Sequence, residues 1–218
     1  GYWTVGSRNY TPQEMATRTM YTHSPLEFLK WYYHRFVAYR HHGPNVIHHW
    51  LADKNLITQN IDGLHRKAGS EDYIEIHGRV DRIRCTSVGC DSAAPNGSLP
   101  LHVEDFSGFI NSPSLDNIPK CPICNSLTRP HVLWFDEYYS DHVDFQFQRA
   151  VDILSNGDLL IFIGTSLAVG ITYNAMQIFE NKCLPIWLID PNPIDQSVYT
   201  LRGRSELVLP KLVEVLER

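Results

Sequence analysis

The sequence predicts an α/β protein with a doubly wound parallel sheet and one small insertion. Three observations lead there. Leu159-Leu160-Ile161-Phe162-Ile163 and Pro185-Ile186-Trp187-Leu188-Ile189 are short, continuous apolar runs with a helix-length interval between them, the pattern of parallel strands covered on both faces. Each run ends in a polar cluster, Gly164-Thr165-Ser166 after the first and Asp190-Pro191-Asn192 after the second. Residues 81–130 have another texture, with two cysteine pairs, a middle rich in Gly, Ser, Pro and Asn, and few long apolar runs. The expected organisation is one α/β domain over 1–80 and 131–218, interrupted over 81–130 by a small domain without a core of its own.

Taken in order, Thr11-Pro12-Gln13-Glu14 reads as a helix start, with Thr as N-cap, Pro at the first helical position and Glu three residues after the cap. Ser24-Pro25-Leu26-Glu27 repeats the pattern, and the helix it opens should reach about Tyr39, where His41-His42-Gly43-Pro44-Asn45 interrupts it. A short helix is expected from Val46 to about Lys54. It leads into Leu56-Ile57-Thr58-Gln59-Asn60-Ile61-Asp62, a run that passes abruptly from apolar to polar. Open α/β sheets build their sites from polar groups at such strand ends, although the same residues also form ordinary turns. Alternation in Tyr73-Ile74-Glu75-Ile76-His77 puts the isoleucines on one face and Glu75 with His77 on the other. Arg129–Glu137 returns to a strand-like pattern. Residues Asp141 to Ser155 read as an amphipathic helix with Val143, Phe147, Val151 and Leu154 on one face and Gly157 as its stop.

At 218 residues the chain has room for one α/β domain with a small insertion. Its net charge of −5 argues against a nucleic-acid partner, which would need a basic stripe. No apolar run approaches the roughly 18 residues of a membrane span. With no signal peptide visible, the expected location is cytoplasmic.

Cys85, Cys90, Cys121 and Cys124 form two close pairs separated by thirty residues. In a chain without a secretion signal such pairs read as metal ligands before disulfides, and four thiolates suit a closed, structural Zn²⁺ site. Cys183, in an apolar stretch, is expected to be a buried small hydrophobe, and His102 between the pairs a surface residue. Tyr32 and Arg35 are three apart on the second long helix and so share a face. A histidine serves as general base near neutral pH, but with 11 histidines in the chain chemistry alone does not single out His77.

Thr58-Gln59-Asn60-Ile61-Asp62-Gly63-Leu64-His65, His77-Gly78 and Gly164-Thr165-Ser166-Leu167-Ala168-Val169, in that order, resemble the sirtuin family of NAD-dependent protein-lysine deacylases. The resemblance implies a Rossmann-like fold with a zinc ribbon, NAD as cofactor and an acylated-lysine protein or peptide as substrate. It assigns His77 the role of base toward a ribose hydroxyl. Gln59, Asn60, Ile61 and Asp62 would line the ribose and nicotinamide end of the pocket. Gly164, Thr165 and Ser166 would meet the other ribose and the phosphates. Asp190, Pro191 and Asn192 would lie on the adenosine side, with Asp190 standing where the family usually has Asn, and Ser205 near adenine. Val132–Glu137 resembles the strand that pairs with the substrate peptide. Leu133 and Phe135 would flank the acyl-lysine tunnel, and Asp136 replaces the usual Gly. Tyr32-x-x-Arg35, with Ala16 as a small residue widening the pocket, resembles the subgroup that removes succinyl and malonyl groups. The family also carries a glycine-rich strand-to-helix turn ahead of the segment resembled by Gly1-Tyr2-Trp3, so upstream residues are expected. Two other activities compete with this reading: transfer of ADP-ribose to protein or water, and a non-catalytic zinc-ribbon binding module.

Overall fold

The computed structural model describes residues 3–5, 7–39, 41–102, 106–193 and 198–216; Gly1 and Tyr2 lie outside them. Its elements begin with β1 (Trp3–Val5), β2 (Arg8–Tyr10), α1 (Pro12–Met15), α2 (Arg18–His23), α3 (Pro25–Tyr39) and α4 (Val46–Trp50). Next come β3 (Ile57–Thr58), α5 (Leu64–Lys67), β4 (Ile74–Glu75), β5 (Gly78–Cys85), β6 (Leu99–Pro100), α6 (Ser107–Asn111) and β7 (Thr128–Val132). The chain closes with α7 (Phe147–Asn156), β8 (Leu160–Ile163), α8 (Gly170–Asn181), β9 (Ile186–Asp190), β10 (Tyr199–Arg202) and α9 (Ser205–Leu216). Two compact units result, one of residues 1–43, 57–64 and 73–147, the other of 44–56, 65–72 and 148–218.

In the first unit, Thr11 and Glu14 form the expected capping box at α1. The hairpin β1–β2 precedes it, and β3 pairs in parallel with β4. Strand β5 runs antiparallel between β6 and β7. The core is aromatic: Phe28 and Trp134 meet edge to face, and Tyr33 stacks on Phe106 with ring centres 4.5 Å apart. Such pairs add about 0.5–1.5 kcal/mol beyond their burial. Phe106, Phe109, Leu101 and Ile118 of the 81–130 segment join the cluster formed by α3, so a stretch too polar for its own core borrows one.

In the second unit β8, β9 and β10 form a parallel sheet in the order β10-β9-β8. The two apolar runs supply β8 and β9. Strand β10 was not evident, because Tyr199–Arg202 is mostly exposed and carries no apolar run. Helix α7 lies between Phe147 and Asn156, with Ala150 and Leu154 buried.

Four local expectations need correction. The helix expected over Val46–Lys54 ends at Trp50 and continues only as turns. Asp141–Gln146 is not helical: two short 3₁₀ turns occupy it, Gln146 takes a left-handed φ of 48°, and Val143 is exposed. The strand expected through Glu137 stops at Val132, because Phe135 N–H turns to the carbonyl of Ala16 and Trp134 N–H to the Glu137 carboxylate. Cys183 is exposed rather than buried. It occupies the left-handed position after α8, where Cys183 N–H bonds Glu180 O and Leu184 N–H bonds Phe179 O, closing the helix end.

Candidate active site

A cavity of about 430 Å³ in the first unit gathers the residues singled out there. Gln59, Asn60, Ile61 and Asp62 reach it from the end of β3, and His77 from the turn between β4 and β5. Ile74 and Ile76 are fully buried, which turns His77 toward the opposite face, as the alternation requires. Gly78 has a φ of 78°, and a Cβ there would stand 2.3 Å from the carbonyl oxygen of His131. Only glycine lets β5 approach β7 immediately after the histidine.

The His77 ring is held at both nitrogens. Nδ1 donates to the carbonyl of Gln59 at 3.1 Å, which leaves the Nε2 lone pair to accept. Tyr139 Oη lies 3.3 Å from Nε2, and its ring stacks between those of His77 and Phe147. Burial pushes the His77 pKa below its ordinary value, offset only in part by the Gln59 hydrogen bond. The imidazole is therefore neutral at physiological pH, with Nε2 as its acceptor nitrogen and Tyr139 Oη beside it. Asp62 Oδ1 accepts from Leu64 N–H at 3.0 Å, which fixes the turn carrying Asn60.

The same cavity is also lined by Ala16, Tyr32, Arg35, Leu133 and Phe135. Tyr32 is almost fully buried, and its hydroxyl has no hydrogen-bond partner among the described residues. Burial raises its pKa, so it stays a neutral donor. The Arg35 guanidinium lies 4.6 Å from the centre of the Trp31 ring, and no carboxylate pairs with it among the described residues. An unpaired cation beside an unsatisfied hydroxyl suits a ligand that ends in a carboxylate.

The segment carrying Leu133 and Phe135 is braced by two acids whose roles were not legible in sequence. Asp136 accepts from the backbone N–H groups of Arg18 and Thr19 at 2.7 and 3.2 Å, capping α2 from a distant part of the chain. It is not among the residues with left-handed φ, so no glycine-only conformation is forced on it. The Glu137 side chain is fully buried between Arg129 and Arg84 and also meets Arg18. Burial alone would raise its pKa, but the arginines, Arg129 foremost, hold it below the ordinary value. Tyr139 is a third residue not anticipated; a tyrosine two positions after a glutamate carries no signal of its own.

In the second unit the predicted residues share one edge of the parallel sheet. Gly164, Thr165 and Ser166 follow β8; Asp190 ends β9, with Pro191 and Asn192 after it; Ser205 opens α9 just beyond β10. Gly164 N–H bonds Ile189 O, and Gly203 N–H bonds Asp190 O, tying the three strand ends together. Gly164 has a φ of 58° and open space where a Cβ would point. Asp190 Oδ1 is engaged by Asn192 N–H at 2.7 Å, so this carboxylate shapes its own turn. Carboxyl edges of parallel strands are where α/β sheets bind nucleotides.

Cys85, Cys90, Cys121 and Cys124 converge, with their sulfur atoms within 4.8 Å of one another. The Cys85–Cys124 and Cys90–Cys121 sulfurs are 3.4 and 3.6 Å apart, too far for a disulfide. Four Zn–S bonds of about 2.3 Å in a tetrahedron put sulfurs about 3.8 Å apart, so the four residues fit a zinc ion. His102 is exposed, as expected.

Comparison with known proteins is consistent with this geometry. The sequence profile of the Sir2 family matches residues 1–170. An NAD-dependent protein deacylase of Pyrococcus furiosus is 33% identical over 234 residues, spanning 100% of this chain and 84% of the relative. NAD-dependent protein deacylase 1 of Archaeoglobus fulgidus is 32% identical, spanning 98% and 82%. Among solved structures, a Sir2 homologue in complex with NAD superposes with a TM-score of 0.79 at 31% identity, covering 95% of this chain and 78% of that one. A complex described as Sir2, p53 peptide and NAD⁺ gives 0.73 at 26% identity, covering 91% and 80%.

Proposed function

This chain belongs to the Sir2 family, and from that premise we propose that it is an NAD-dependent protein-lysine deacylase with a pocket suited to acidic acyl groups. The NAD substrate supplies the ADP-ribose acceptor and the leaving nicotinamide; the balanced reaction converts acyl-lysine, NAD and water to lysine, nicotinamide and O-acyl-ADP-ribose.

The residues divide the work by position. His77 takes a ribose hydroxyl proton on Nε2, and the Gln59 carbonyl keeps the ring in the tautomer that allows it. Asn60 and Asp62 are hydrogen-bonding groups lining the same cavity as His77; they hold the nicotinamide ribose and the carboxamide. The β8 and β9 ends, with Ser205, hold the adenosine side. Gly164 fits that role because its open Cβ position lets ligand meet backbone. Leu133 and Phe135 form the walls around the lysine stem. Arg35 and Tyr32 bind the far carboxylate of a succinyl or malonyl group, with room left by Ala16. Zn²⁺ held by the four cysteines closes a structural site with no open coordination position. In this reading the NAD-binding domain comprises 1–80 and 131–218, and the zinc-binding domain 81–130.

The observation that carries the proposal is the neutral His77 imidazole, fixed at Nδ1 and facing the same cavity as Asn60 and Asp62. Mass spectrometry of products from NAD and an acylated peptide tests it. The expected products are nicotinamide and O-acyl-ADP-ribose, lost in His77→Ala. Free ADP-ribose or ADP-ribosylated protein alone would instead establish the transferase or hydrolase reading, and no NAD turnover the binding-module reading.

A further inference from the structure

The geometry points to a second metal site, formed by His131, His142 and Asp144 and suited to Zn²⁺ or a similar borderline divalent ion. It is separate from the cysteine cluster and takes no part in the deacylase reading. One ligand atom from each residue lies within 4.8 Å of the others. His131 Nε2 is 3.1 Å from Asp144 Oδ2, and His142 Nδ1 is 3.8 Å from the same oxygen. Metal–ligand bonds of about 2.1 Å in a tetrahedron require ligand atoms about 3.4 Å apart, a value these two distances bracket. Two imidazoles and a carboxylate are a donor set that zinc accepts, and a hard ion such as Mg²⁺ does not prefer.

Three further features distinguish this cluster from a casual surface grouping. Both histidines are buried, at 0% and 2% exposure. His131 Nδ1 has no hydrogen-bond partner among the described residues, and Nε2 faces the Asp144 carboxylate at 3.1 Å; a buried ring nitrogen left without a partner is rare. The supporting contacts are also those that orient metal ligands. His142 Nε2–H donates to Gly97 O at 3.0 Å, which puts the lone pair on Nδ1. Asp144 Oδ2 accepts from Ser98 Oγ–H at 3.0 Å, and Ser98 is held in turn by Arg82. The Asp144 side chain is 44% exposed, leaving an entry path and a place for water as fourth ligand. Asp144 N–H now donates to His142 Nδ1 at 3.1 Å; the ion replaces that single neutral hydrogen bond. Bound there, the ion would clamp the 142–145 turn onto β7.

Elemental analysis of the full chain after equilibration with Zn²⁺ and removal of free metal tests the site. Two zinc ions per chain are expected in the unsubstituted protein, and one in Asp144→Asn and in His142→Ala. One ion in the unsubstituted protein, or two retained in both variants, would overturn the proposal. A measurement that needs no variant guards against misfolding. In ¹⁵N-labelled protein already holding zinc at the cysteines, further Zn²⁺ should shift His131 Nε2 and His142 Nδ1 in long-range ¹H–¹⁵N spectra. Unmoved nitrogens would sink the assignment.

Discussion

Replacing Arg35 with methionine separates recognition of an acidic acyl group from the chemistry of deacylation. Methionine keeps most of the stem volume and removes the charge. The guanidinium lines the cavity with no carboxylate partner among the described residues, beside a buried Tyr32 hydroxyl that also lacks one. A hydrogen bond to a charged group contributes about 1.5–3 kcal/mol. At 1.36 kcal/mol per tenfold in rate, kcat/KM for a succinyl-lysine peptide should fall about 10- to 150-fold. The same peptide carrying acetyl-lysine has no carboxylate to lose, so its kcat/KM should stay within about twofold. Loss of the contact with Trp31 costs about 0.5–1 kcal/mol of stability, which thermal unfolding would register separately. The assay is liquid chromatography of both peptides with saturating NAD. Equal loss on the two substrates would refute the carboxylate role and return Arg35 to a structural cation packed on an indole.

Other perturbations follow from the same geometry. Asp136→Ala removes the distant cap of α2 and should cost about 1 kcal/mol in chemical denaturation, with a raised KM for peptide and little change in KM for NAD. Glu137→Gln strands Arg129 and Arg84 in the interior, and a loss of about 3–5 kcal/mol is expected from urea unfolding. Because burial depresses the His77 pKa, its base form persists below pH 6.5, so the acid limb of kcat/KM should fall below that value. The linked stability has the same sign: as pH drops from about 6.5 toward the folded pKa, only the unfolded chain takes up the proton and stability declines. Tyr139→Phe keeps the ring stack but removes the hydroxyl donated to Nε2; the acid limb should move to higher pH, and an unmoved limb would show that the hydroxyl does not tune the base. Cys124→Ser should release zinc and loosen the cysteine-bearing segment, seen as metal loss by elemental analysis and faster proteolysis there.

Much of the architecture was legible because it rests on local rules. Apolar runs marked β8 and β9, a capping box opened α1, and alternation set the face of His77. The ordered motifs named residues that line the first unit's cavity, and cysteine spacing named the four-thiol cluster. What local rules could not supply depends on partners far along the chain. Asp136 stood out only as a replacement for the family's usual glycine, yet it caps a helix 118 residues away in sequence. Glu137 was legible only as the end of a strand-like segment, yet three arginines from different segments surround it. Val143 fitted a helical stripe, yet the left-handed Gln146 delays the helix to Phe147.

Sequence alone marked the side chains that could do chemistry here: a histidine followed by glycine in a family motif, polar clusters after apolar strands, and four thiols in two pairs. Tertiary structure alone decided which nitrogen of His77 accepts, that among the described residues Arg35 has no carboxylate partner and the Tyr32 hydroxyl no hydrogen-bond partner, and that His131 meets His142 and Asp144. Those are questions of hydrogen-bond satisfaction and burial, and both depend on neighbours brought together only when the chain folds.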